Sequence, residues 1–225
     1  MADVPGSLSQ KAHRQLIGSL GLCLPFGVYM LAGFRHTPPL QQWVRLGSVS
    51  AYYYTGSVAV FVGVIFALSL FLFTYPGYEH VIEDRILGSL GGLAALGVVL
   101  FPTDAPAMEL KLSWWRAWMS TVHYTSAVCL FLSFILFSLW LFPRSDRPPA
   151  EQSVEKRRSN RVYRGCGAVM IIALAVAIRN GLHGEPIFIP EAFAIEAFAV
   201  SWLVKGEVPQ TVARAANRMV SVFGN

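Results

Sequence analysis

Residues Tyr53 to Tyr75 read YYTGSVAVFVGVIFALSLFLFTY, and Pro76-Gly77 follows them. The run holds neither a charged residue nor a proline. A hydrocarbon core of about 30 Å needs roughly 20 apolar residues in helical form, so this stretch is long enough to cross a membrane. A soluble protein could bury one such helix, but it would still need a charged skin. Here 54% of the residues are hydrophobic and 14% charged, with a mean hydropathy of +0.49. An average soluble domain carries roughly a quarter charged residues.

Outward from that run the pattern repeats. Leu16 to Phe34 precedes it, with Lys11 and Arg14 before and Pro25 as an expected kink. Its length and the lack of a small-residue cleavage site favour a retained helix over a signal peptide. Ile86 to Phe101, Trp118 to Phe142, Gly165 to Leu182 and Ile187 to Val204 follow. The expected fold is all-α: one polytopic membrane bundle of about six transmembrane helices over residues 16–205. A segment 1–15 and a tail 206–225 flank it, and the basic linker 143–164 is its largest loop. Gly88 and Gly92 form a GxxxG, with Gly91 beside them, which suits close helix contact and a possible helix–helix oligomer.

The formal charge of +5 lies between the apolar runs, which reads as topology and excludes a nucleic-acid partner. The linker holds Arg144, Arg147, Lys156, Arg157, Arg158, Arg161 and Arg164. Lys- and Arg-rich loops stay in the cytoplasm. With both termini on that side, thirteen basic residues fall inside and five (Arg35, Arg45, Lys111, Arg116 and Arg179) outside. Trp43, Trp114, Trp115 and Trp118 sit where an interfacial belt is expected. Cys23, Cys129 and Cys166 show no pairing pattern and read as small apolar packing residues.

Ionisable groups inside a membrane are costly and tend to have a partner or a task. On this topology Ser50, Tyr53, Tyr54, Asp104, His123, Arg179, Asn180, His183, Glu191 and Glu196 all fall in the outer half. Ser120, His123, Ser126 and Ser133 share a stripe of the fourth helix, at a period of 3.6. Glu191 and Glu196 are five apart and share no face. Glu196 is the deeper and the one expected to matter: if charged it needs Arg179 or a metal, and if neutral a raised pKa, whereas Glu191 could face interfacial water. Asp104, His123 and Glu196 are the catalytic candidates, expected to converge on one outward cavity. Asp104, His123, His183 and Glu196 are acceptable zinc ligands, but no HxxxH or HExxH orders them, so no metal is assigned. There is no GxSxG for a serine nucleophile, no paired histidine for haem, and no other cofactor is indicated. Glu79, His80, Glu83, Asp84 and Arg85 read as a solvated turn before the third helix.

Several strings carry a resemblance: Ser50-Ala51-Tyr52-Tyr53-Tyr54-Thr55, Phe71-Leu72-Phe73-Thr74-Tyr75, Leu100-Phe101-Pro102-Thr103-Asp104, His123-Tyr124 and Ser201-Trp202-Leu203-Val204-Lys205-Gly206-Glu207. Together they resemble an uncharacterised six-transmembrane-helix bacterial membrane protein family, over about residues 48–207. That resemblance implies a multi-pass protein of the bacterial cytoplasmic membrane. Ser50, Asp104 and His123 also resemble part of the zinc site of the alkaline ceramidase and adiponectin-receptor hydrolase superfamily, whose SxxxH and HxxxH pairs are missing here. The expected function is an outward polar pocket for a small polar ligand or lipid headgroup, in a sensor, carrier or assembly factor. The alternatives are a lipid-modifying hydrolase at the outer leaflet and a proton- or ion-coupled transporter. Membrane lipids are the expected partners.

Overall fold

Each apolar run forms a helix: α1 Gln10–Ala32, α2 Val58–Phe73, α3 Ile82–Leu100, α4 Ala117–Leu136, α5 Val154–Leu182 and α6 Phe188–Lys205. The computed structural model describes residues 9–32, 34–35, 42–43, 45–77, 82–106, 111–145 and 148–209. Helix α1, α4 with its extension to Leu141, and α5 are each long and apolar enough to cross a membrane. Among the described residues the only strands are β1 Phe34–Arg35 and β2 Gln42–Trp43, paired antiparallel. The chain is therefore a helical membrane protein.

Each helix packs on its neighbours in sequence, and α6 returns to α1, so the bundle is a closed ring. Phe134 of α4 stacks on Phe198 of α6 at 3.6 Å. Trp202, fully buried on α6, takes the edges of Tyr75, Phe137 and Phe142 at 5.1 Å each. The outward face is apolar as well: Phe26, Leu93, Ile172 and Phe193 are each more than 60% exposed. Water would penalise apolar surface on that scale, and lipid does not.

The small residues of α3 set its distance from both neighbours. A side chain at Gly88 would meet the Leu72 carbonyl oxygen at 2.7 Å, and one at Gly92 the Phe73 ring at 2.9 Å. Gly91 faces Ser133 of α4, and Gly97 lies directly against Ser126. The GxxxG surface thus packs on α2 of the same chain. Ser69 Oγ donates to the Gly92 carbonyl at 2.9 Å, tying the same seam.

Helix starts differ from the sequence expectation. Residues Ser50–Tyr54 form a separate 3-10 turn, and α2 begins only at Val58. The linker 143–164 is not a loop throughout: α5 begins at Val154, where the Ser153 side chain accepts from the Lys156 amide at 3.2 Å. Hydropathy marks the length of chain that lipid covers, and backbone hydrogen bonding continues past it. Residues Phe137–Leu141 continue α4 as a single π turn, closed by Phe142 N–H donating to the Phe137 carbonyl at 2.8 Å.

Candidate functional site

Histidine 123 is placed by a proline. In α3 the Val98 carbonyl would normally accept from the amide of residue 102, which is Pro102 and has none. His123 Nδ1–H takes its place, donating to Val98 O at 3.0 Å and Phe101 O at 2.8 Å. Carbonyls only accept, so Nδ1 carries a proton, and in the neutral ring Nε2 keeps its lone pair. The ring is 2% exposed, and Nε2 has no protein partner among the described residues.

Glutamate 191 is placed by a loop. The Gly47 carbonyl accepts from the amides of Ile187 and Phe188 at 2.6 and 2.8 Å, capping α6. In return Glu191, one turn into α6, takes the Val49 amide on Oε2 at 2.7 Å. The second carboxylate oxygen has no partner among the described residues. Ser50 follows Val49 in the same loop, its hydroxyl 3.2 Å from that of Ser48.

Ser50, His123 and Glu191 line one cavity of about 60 Å³, walled otherwise by apolar side chains such as Phe61, Leu130 and Phe134. A second crevice of about 370 Å³ opens between α4, α5 and the start of α6, lined by Tyr124, Val128, Leu174, Ile178, Gly181 and others. Ala127, Phe131 and Glu191 border both.

The other candidates lie elsewhere. Asp104 is exposed and pairs with Lys111 at 3.1 Å, while Lys111 also sits 4.1 Å over the Trp115 ring. Glu196 is only partly buried and borders neither cavity, so the expected convergence of Asp104, His123 and Glu196 does not form. Arg179 pairs with Glu185 at 3.6 Å rather than with Glu196, and its guanidinium also donates to Asn180 at 3.2 Å. Asn180 donates in turn to the Pro186 carbonyl at 3.2 Å, and His183 is the exposed C-cap of α5. Tyr54 donates to the Thr103 carbonyl, and Tyr53 packs on Tyr54 and Phe61 at 5.5 and 6.3 Å. These tyrosines wall the loop rather than the cavity. No group of three or more His, Cys, Asp or Glu suited to a metal occurs among the described residues.

The opposite end holds features that the sequence reading passed over. Asp84 is 2% exposed and so not solvated, and Gly77, at φ +64°, leaves it room. Glu79 and His80 of that turn lie outside the described residues. Glu83 lies 3.6 Å from Arg144, and its own backbone amide first, then Arg144, hold its carboxyl below the ordinary value. Side chains from other helices cap the helix ends here. His13 donates to the Phe71 carbonyl at 2.6 Å, and Gln15 to the Gly206 carbonyl at 2.8 Å. Lys156 and Lys205 both donate to Phe142 O, at 2.9 and 3.3 Å. The only sequence signal for this arrangement is that Lys205 closes an apolar run.

Comparison with protein-family models, curated proteins and solved structures finds no match.

Proposed function

We propose that the chain is a six-pass protein of the bacterial cytoplasmic membrane, with both termini inside, that binds the polar group of a small ligand or lipid headgroup in the outward half of the bundle. It would act as a sensor, carrier or assembly factor. One observation carries this reading. The buried His123 and the half-buried Glu191 border the same cavity, and among the described residues neither Nε2 of the one nor the second carboxylate oxygen of the other has a protein donor. Such a group cut off from water and left unpaired costs about 1–3 kcal/mol. A bound donor would remove that cost.

The hydrolase alternative receives less support. His123 and Ser50 line the same cavity, but the serine hydroxyl is engaged with Ser48, and the histidine's proton with backbone carbonyls. The test is a density map of the protein purified from its own membrane. A non-water group against Glu191 and His123 is expected, and Glu191→Gln should lose it while the fold stays intact. Ordered water alone in both proteins would overturn the proposal.

A further inference from the structure

The cavity at Glu191 and the crevice between α4 and α5 meet at Ala127, Phe131 and Glu191. Their chemistry differs sharply. Among the polar residues that border the smaller space are Glu191, His123 and Ser50. Among the described residues no lysine or arginine borders it. At about 60 Å³ it suits a small polar group. The larger space is bordered by aliphatic and aromatic side chains, with Tyr124 and Glu191 the only polar members among the described residues, and at about 370 Å³ it falls within the ~300–1,000 Å³ of ordinary ligand sites.

We infer that this composite site takes a single-chain lipid, with its head in the cavity and its tail in the α4–α5 crevice, and that the head is a hydroxyl or primary ammonium. The inference rests on the pocket reading proposed above and names its ligand class. Two acceptors with no cation select a hydrogen-bond donor. A phosphate or carboxylate head would bring more acceptors to a site that, among the described residues, has no lysine or arginine to meet them. The tail assignment follows from continuity: the crevice begins where the head cavity ends, and in a membrane its outer side faces lipid.

The crevice can be filled without disturbing the backbone. Gly181 lies on its border, inside α5, and a side chain there would meet no atom within 4 Å. Gly181→Leu should therefore fold normally and block the tail. Glu191→Gln keeps an oxygen for the Val49 amide and turns the remaining acceptor into a donor, so it should reject the head.

The experiment uses the full chain in lipid vesicles with three photoreactive sixteen-carbon probes that differ only at one end: alcohol, primary amine or carboxylic acid. The alcohol and amine should crosslink to residues of α4 and α5 around the crevice, about tenfold more than the acid, the ratio expected for one buried hydrogen bond of about 1.4 kcal/mol. Gly181→Leu should reduce that labelling several-fold, and Glu191→Gln about tenfold for the alcohol. Hexadecanol should compete far better than hexanol. If Glu191→Gln abolishes labelling while Gly181→Leu and chain length have no effect, the pocket reading survives and the tail assignment is wrong. If Gly181→Leu blocks labelling but the three ends label equally and Glu191→Gln has no effect, the crevice holds a chain and the pocket reading fails. Equal labelling of wild type and both variants overturns both.

Discussion

His123 and Pro102 are a matched pair. The proline removes the amide that would serve the Val98 carbonyl, and the histidine supplies the replacement from another helix. His123→Ala should therefore leave two carbonyls without their donor and lower stability by about 1–3 kcal/mol, measured by unfolding in detergent. Pro102→Ala restores an amide at the right place. In a double-mutant cycle the cost of His123→Ala should be smaller in the Pro102→Ala background. Strict additivity would show that the histidine does not act as the proline's substitute. Asp104→Ala should change stability by less than about 1 kcal/mol, because its ion pair with Lys111 is exposed at both ends. The contrast between the two residues was only half legible in the sequence. Both were visible as polar residues near helix ends in one half of the membrane. Sequence depth does not tell which way a side chain points, so Glu196 drew the attention that Glu191 merits. Glu191 owes its position to the Val49 amide, a backbone group with no side-chain signature.

Among elements, α3 is the most constrained, because glycines on two of its faces admit α2 and α4. Gly88→Leu would drive a side chain into the Leu72 carbonyl, a backbone atom that cannot rotate away. Gly92→Leu meets the Phe73 ring. Each should cost about 1–3 kcal/mol or more. Gly165→Ala is the control: open space surrounds it, so it should be neutral or gain up to about 1 kcal/mol from helix propensity. Thermal unfolding of the three variants in one detergent would check the order, and a harmless Gly88→Leu would refute it. Helix count was readable because each run of apolar residues is long and ends at a proline, a glycine or charge. Helix starts were less so. The Ser50–Tyr54 turn and the first residues of α5 depend on which backbone amides find carbonyls, and composition records that poorly.

For the molecule as a whole, the orientation proposed above makes a direct prediction. In a background with Cys23, Cys129 and Cys166 replaced by alanine, Ser113→Cys and Glu151→Cys place single exposed thiols at opposite ends of the bundle. A membrane-impermeant maleimide added to intact cells should label position 113 and spare position 151. The reverse pattern would invert the topology, and with it the outward direction of the pocket.

The ring closes between its first and last helices. A side chain at Gly18 of α1 would strike Leu203, and one at Gly21 would strike Phe198, so α6 sits almost on the α1 backbone. In a chain made from the N-terminus onward, α1 is made before the other five helices described, and the partner for this face is the last of them. Until then its close-packing groove meets only lipid or whatever escorts the nascent chain. A ribosome that stalls before residue 188 would therefore release five helices whose first member is permanently unmatched. Cellular quality control would have one open seam by which to recognise the unfinished product.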